Sequence, residues 1–228
     1  MTPHDPCRPN LRLEAGLWRR GCVHVAGLDE VGRGAWAGPL VAAAVVLPAG
    51  RDNLARMLRG VRDSKVMTPA SRDRWAEAIL AVAQAWAVGS AAPGEVDELG
   101  PLGATRLAMQ RALGALAVRP DHLLIDYLRL PECLLPQTAL PRGDARMLSV
   151  AAASVVAKVW RDRVMMMYDE DFPEFGLARN KGYGTPEHRR ALERLGPTPL
   201  HRVSYRPVAQ ARARFALPGG DEVTRPVR

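Results

Sequence analysis

Two short apolar runs constrain this chain most: Val23-His24-Val25-Ala26-Gly27-Leu28 and Leu40-Val41-Ala42-Ala43-Ala44-Val45-Val46-Leu47. Both are far shorter than the roughly 20 apolar residues of a membrane-spanning helix. Gly38-Pro39 and Pro48 bound the second run, so the pair is predicted as buried strands over 23–28 and 40–47 joined as a hairpin. Asp29-Glu30 stands at the exit of the first strand and runs straight into Val31-Gly32-Arg33-Gly34. Adjacent carboxylates are unfavourable to fold around unless protons or cations neutralise them, which points to a metal site beside a phosphate- or sugar-binding turn. The rival reading is an exposed turn with surface acids. Neighbouring strand residues face opposite ways, so both acids share one site only under one of two conditions. Either the strand breaks between them, which Gly32 and Gly34 favour, or one acid reaches the site through a backbone carbonyl or a water.

The rest of the chain alternates between helical and strand patterns. A short helical stretch surrounded by Arg51, Arg56, Arg59 and Arg62 precedes the Asp63-Ser64-Lys65 turn. Thr68-Pro69 reads as an N-cap with proline at the first helical position. A strand is predicted over 85–90, a helix over 105–116, and a strand at His122-Leu123-Leu124-Ile125 that ends on Asp126. Residues 127–144 read as a loop with one weak strand, closed by Arg142-Gly143-Asp144. The longest helix is predicted over 148–168, with the Met165-Met166-Met167 cluster assigned to core packing. Lys181-Gly182-Tyr183-Gly184 makes a turn, and Thr185-Pro186 caps a helix that runs to Leu195. Residues 1–20 read as a loose arm or partial first element. Beyond Pro207 an arginine-rich helix leads into a tail expected to be disordered at its end. Strands and helices in this order predict a mixed α/β sheet with helices on its faces.

At 228 residues the chain is long enough for one substantial core. Its 32 Lys and Arg against 24 acids leave a net charge of +8 and a pI near 10.1, a balance that favours a polyanionic partner. Only Cys7, Cys22 and Cys133 are present, without metal-knuckle spacing, which fits a reducing compartment. With no apolar run of signal-peptide type, the expectation is a soluble cytoplasmic protein and no membrane partner.

Against this basic background four acids stand out: Asp29, Glu30, Asp126 and Asp144. Carboxylates can hold two divalent ions about 3.5–4 Å apart for phosphodiester hydrolysis, and oxygen donors suit Mg2+ or Mn2+ better than zinc. Asp162, in Arg161-Asp162-Arg163, competes with Asp144 for the fourth place, although Lys158 is spaced to pair with it at i,i+4. His188 and His201 are read as loop ties, and Trp36 as packing over the sheet.

The order of motifs resembles the type 2 ribonucleases H, the bacterial ribonuclease HII family. The resemblance is carried by Asp29-Glu30-Val31-Gly32-Arg33-Gly34, Ala37-Gly38-Pro39-Leu40, Asp63-Ser64-Lys65, Asp126, Gly143-Asp144, the stretch Ala151 to Arg163, and Lys181-Gly182-Tyr183-Gly184-Thr185. It spans about residues 22 to 208. It implies a ribonuclease H-like mixed β-sheet flanked by helices with a small C-terminal helical extension. The implied division is an N-terminal arm over 1–20, a catalytic domain over 21–207 and a C-terminal extension over 208–228. Also implied are a metal site of Asp29, Glu30, Asp126 and Asp144 holding two divalent ions, Mn2+ or Mg2+, and a junction-reading turn of Gly32, Arg33 and Gly34. Tyr183 would pack on the deoxyribose beyond the junction, while Ser64, Lys65 and Lys181 would contact backbone phosphates. The implied substrates are RNA–DNA hybrids and duplex DNA with embedded ribonucleotides. Cleavage would fall 5′ to the ribonucleotide and leave 3′-hydroxyl and 5′-phosphate ends, and the expected protein is a monomer.

Three departures from the family pattern stand out. Tyr127 follows Asp126 where the family commonly has glycine, Arg142 replaces the commoner lysine, and Gly100-Pro101-Leu102 replaces an asparagine-isoleucine pair. Two alternatives remain: a ribonuclease HIII-like nuclease preferring ribonucleotide tracts, whose usual extra N-terminal domain 1–20 is too short to supply, and a catalytically silent nucleic-acid-binding protein.

Overall fold

A computed structural model describes residues 8–216. Of the two readings of residues 1–20, a loose arm or a partial first element, the described part shows the second: Arg12–Trp18 forms helix α1, held down by buried Leu17 and Glu14. Five strands follow in one sheet: β1 (Val25–Val31), β2 (Leu40–Val46), β3 (Ala85–Ala91), β4 (His122–Asp126) and β5 (Gln137–Leu140). Their spatial order is β3-β2-β1-β4-β5. The first two strands form the expected antiparallel hairpin, and β2 pairs antiparallel with β3. In contrast, β1–β4 and β4–β5 are parallel. The weak strand expected in 127–144 is β5. Strand β1 differs from expectation because it continues unbroken through Asp29 and Glu30 to Val31, with Asp29 opposite Ala43 and Glu30 opposite Ala42.

Helices cover both faces of the sheet. On one side α3 (Pro69–Val82) and α5 (Leu148–Asp171) pack on Val41, Ala43 and Val45. On the other, α4 (Pro93–Gly114) packs on Ala42, Ala44, Val46, Leu28 and Ile125. A fully buried Leu or Ile in such a layer contributes about 1.5–3 kcal/mol. Small residues, Ala26 and Gly27 on β1 and Ala42, Ala43 and Ala44 on β2, let the helices approach closely. At Gly27 the approach is closest, since an added Cβ would lie 2.2 Å from the Ser149 carbonyl carbon.

The Thr68 hydroxyl caps α3 and the Thr185 hydroxyl caps α7 (Pro186–Leu195), each followed by proline at the first position as expected. Helix α4 starts earlier than the predicted 105, at Pro93. Gly100, at φ 69°, breaks it before Pro101, so this segment is a kinked helix that continues upstream of the predicted start. Short helices α2 (Leu54–Met57) and α6 (Leu177–Asn180) and the C-terminal α8 (Arg206–Phe215) complete the architecture. Of the methionine cluster only Met165 is in the core, while Met166 and Met167 are exposed. The expectations for residues 1–7 and for the end of the tail, 217–228, lie outside the described residues. Among the described residues, no helix is long and apolar enough to cross a membrane.

Candidate active site

Parallel pairing of β1 with β4 brings the acids together. Leu28 is in register with Ile125, so Asp29 and Asp126 come next on adjacent strands, both at the C-terminal edge where open α/β sheets bind ligands. A cavity of ≈500 Å³ opens there. Asp29, Glu30 and Asp126 line it together with the Gly32-Arg33-Gly34 turn, Ser64, Lys65 and Tyr183, all singled out from the sequence. Asp144 sits just behind the lining, with Oδ2 3.7 Å from Lys65 Nζ. Its 3₁₀ turn, Gly143–Ala145, is fixed to the site because the Gly143 N–H donates to Asp126 Oδ1 at 2.7 Å. Asp162 is outside this cluster, paired with Lys158 at 2.7 Å and with Arg72 at 3.4 Å.

The carboxyl groups repel one another inside the protein. Burial, then the charge of Glu30, raises the Asp29 carboxyl well above the ordinary range; Asp126 and Asp144 add to this, and a hydrogen bond from Ser154 opposes it. Burial also raises Glu30, with Arg33 and Lys65 opposing and Asp126 reinforcing. Asp144 is raised by burial and by Asp63 and Asp126, against the pull of Lys65. Partial burial works against the Lys65 charge, but Asp63, Asp29, Asp144 and Asp126 outweigh it and raise the lysine. Glu30 Oε2 is buried with no hydrogen-bond partner. A surplus of carboxylate oxygens with an orphaned buried atom fits hard divalent cations. Among the described residues no three acidic, histidine or cysteine side chains are already drawn into a coordination cage. Strand alternation accounts for part of this, since Asp29 and Glu30 leave an unbroken strand on opposite faces.

Of two buried arginines that sequence reasoning did not assign to the glycine-arginine-glycine turn, Arg202 bonds its carbonyls and Arg161 packs against Gly32. Arg161 of α5 donates to the carbonyls of Pro39 (2.9 Å), Lys181 (2.8 Å) and Ala37 (3.1 Å). Arg202 donates to the carbonyls of Gly32 (2.7 Å), Arg33 (3.1 Å) and Gly38 (2.9 Å). Gly32 is at φ 88°, and a Cβ there would lie 2.2 Å from Arg161 Nε; nothing lies within 4 Å of the corresponding position at Gly34. Among the described residues the N–H groups of Arg33 and Gly34 make no backbone hydrogen bond. The Tyr205 hydroxyl donates to the Arg33 carbonyl.

The remaining expected contacts divide. Ser64 is buried, its hydroxyl 2.9 Å from that of Ser154, which in turn bonds Asp29, so it supports the acid from behind. Tyr183 is flanked by Lys158 and Arg161, at 6.0 and 5.5 Å from its ring centroid. Lys181 faces an adjoining groove of ≈710 Å³, which shares Lys158 and Tyr183 with the acid cavity, and its Nζ donates to the Ala178 carbonyl at 2.6 Å. His188 and His201 tie loops as expected. His201 Nδ1 accepts from the Thr198 N–H, which assigns the Nε2 proton to the 3.0 Å contact with His188, whose Nδ1 then donates to the Tyr183 carbonyl. Trp36 packs against His188 and beneath Arg189. Ser154 and Arg161 carry a readable signal, polar positions at helical spacing on the alanine-rich buried face of α5, whereas Arg202, in a loop beside His201, has no such spacing.

Known proteins resemble this chain in sequence and in fold. A curated ribonuclease HII of Synechococcus sp. (strain JA-3-3Ab) is 52% identical over 206 residues, 90% of this chain and 92% of that protein. One from Thermus thermophilus is 52% identical over 203 residues, covering 89% and 96%. Among solved structures, ribonuclease H2 from Pyrococcus horikoshii OT3 superposes with a TM-score of 0.70 at 28% identity, over 84% of this chain and 98% of that one. The structure of Bst-RNase HIII in complex with Mn2+ has a TM-score of 0.65 at 24% identity, over 95% and 76%, a likeness of fold. The model of the family described as Ribonuclease HII matches residues 26–208, from the first residues of β1 to the start of α8, and the chain belongs to that family.

Proposed function

We propose that this protein is a metal-dependent endonuclease that hydrolyses the RNA strand of RNA–DNA hybrids and nicks duplex DNA 5′ to an embedded ribonucleotide, leaving 3′-hydroxyl and 5′-phosphate ends. One observation carries the reading. Acidic ends of two adjacent parallel strands face a turn in which Gly32 is required by the protein's own packing, whereas Gly34 opens onto free space. Beside it lie N–H groups that make no backbone hydrogen bond among the described residues. A glycine that nothing in the protein demands leaves room for a ligand to reach the main chain, and a ribose 2′-hydroxyl is the group that separates RNA from DNA there.

Asp29, Glu30, Asp126 and Asp144 would hold the divalent ions, Mg2+ or Mn2+. When bound, two such ions supply an activated water and stabilise the leaving oxygen. The chain's own residues hold this arrangement in place. The Ser154 hydroxyl and the Gly143 N–H fix Asp29 and Asp126. Lys65 balances acid charge at the rim and can meet a backbone phosphate. Arg33 offers a planar fork to a neighbouring phosphate, and Tyr183 presents a ring to the sugar beyond the junction. On this reading the protein works as a monomer in the cytoplasm, in ribonucleotide excision repair and DNA replication.

The test is cleavage of duplexes carrying one ribonucleotide, four consecutive ribonucleotides or none, with Mg2+ and with Mn2+. Nicks are expected in the first two only, on the 5′ side of the ribonucleotide. Cleavage confined to the four-ribonucleotide tract would favour a ribonuclease HIII-like activity, and binding without cleavage under either metal would indicate a silent binding protein.

A further inference from the structure

We infer that Tyr127 is a substrate-positioning residue, which holds the Arg33 guanidinium at the mouth of the acid-lined cavity ready for a phosphate of the bound nucleic-acid strand. The inference rests on the nuclease reading of that cavity and adds to it a residue outside the expected site.

Tyr127 follows Asp126 directly and sits in the left-handed region, at φ 50°. That conformation is unfavourable for a residue with a Cβ, most of all a bulky one, and glycine would relax it. Burial offsets little of this, because the side chain is 42% exposed and joins no core cluster. Its contacts are with Arg33 instead. The Tyr127 hydroxyl accepts from Arg33 Nη1, and the guanidinium carbon lies 5.1 Å from the ring centroid. Among the described residues no other side chain bonds the Arg33 guanidinium. Buried Arg202 and Tyr205 hold the Arg33 main chain, and Tyr127 orients its side chain.

Two consequences follow for a phosphate. One N–H of the arginine fork is used, so the others remain free for bidentate contact, and the rotamer freedom that binding would remove is already restricted. Tyr127 also adjoins Asp126 in the chain, so a phosphate held by Arg33 is kept in register with an acid that lines the cavity. Accepting from Arg33 leaves the tyrosine's own O–H free to donate to a phosphate oxygen.

Steady-state cleavage of the single-ribonucleotide duplex by Tyr127→Phe and Tyr127→Gly, together with thermal unfolding, tests this. KM is expected to rise about twofold to threefold in Tyr127→Phe and about fivefold to tenfold in Tyr127→Gly, with kcat little changed. Tm of Tyr127→Gly should hold or rise, because glycine suits φ 50°. Stability and binding thus move apart, which a merely structural tyrosine would not produce. In an Arg33→Ala background, Tyr127→Gly should add little, since the tyrosine acts through the arginine. An unchanged KM in Tyr127→Gly, or an equal rise in both backgrounds, overturns the inference while Arg33→Ala still reports on the turn. An inactive wild-type protein would instead refute the nuclease reading, and this inference with it.

Discussion

Replacing Gly32 and Gly34 separately by alanine should separate folding from recognition. At Gly32 the new methyl would meet Arg161 Nε at 2.2 Å on a backbone with φ 88°. Arg161 cannot withdraw freely, because its guanidinium serves three carbonyls from a fully buried position. The left-handed backbone costs about 1–2 kcal/mol. Losing one charged hydrogen bond adds about 1.5–3 kcal/mol, for a total of about 2.5–5 kcal/mol. For a domain of this size that corresponds to a fall in Tm on the order of 10 °C. At Gly34 nothing lies within 4 Å, so alanine should leave stability within about 0.5 kcal/mol. Its methyl would nonetheless occupy the space reserved for ligand, and KM for the single-ribonucleotide duplex should rise at least about tenfold, or about 1.4 kcal/mol. Differential scanning calorimetry and initial-rate cleavage measure the two effects. Equal destabilisation of the two variants, or a wild-type KM in Gly34→Ala, would refute this division between the glycines.

Asp126→Asn should bind an RNA–DNA hybrid in a filter or anisotropy assay yet cut it below detection, because asparagine still accepts from the Gly143 N–H but no longer offers a carboxylate. The raised Asp29 carboxyl gives the metal-free protein a contribution to stability that is complete below the ordinary carboxylate range and is lost as pH rises through the raised value. Mn2+ competes for the same oxygens, so the Tm increase it causes should be larger at about pH 8 than at about pH 6. A shift that is independent of pH would contradict this. His201 behaves in the opposite sense. Burial, then the charge of His188, lowers its pKa from 6.5 to about 4. Its contribution to stability is therefore present above 6.5 and lost as pH falls through about 4, a span worth roughly 3 kcal/mol. Urea midpoints between neutral pH and about pH 4 should fall more steeply for wild type than for His201→Gln, and parallel curves would exclude the histidine pair as the source.

Much of the architecture was legible because apolar runs and caps state their own geometry. The 40–47 run became β2, and the Thr-Pro pairs at 68–69 and 185–186 opened α3 and α7. Asp29 and Glu30 misled about the end of β1. Acidic residues are poor strand formers, yet pairing with β2 on one side and β4 on the other carries the strand past them. A sequence does not state which strands are neighbours, so that partnership with β4 emerges only in the folded sheet. Lys181 was expected to contact a backbone phosphate, and it lines the groove that adjoins the acid cavity, with its Nζ bonded to the Ala178 carbonyl. Arginine is almost never fully buried, so the burial of Arg161 and Arg202 runs against the prior that any reading of composition would apply.

Those two arginines also decide what the turn can say to a ligand. By engaging the Gly32 and Arg33 carbonyls from the protein side, Arg202 leaves the N–H groups of Arg33 and Gly34, which make no backbone hydrogen bond among the described residues, to speak for the turn to an acceptor. Recognition of this kind is written in the main chain. The residues that constrain that main chain lie far away in sequence, in the middle of α5 and after α7.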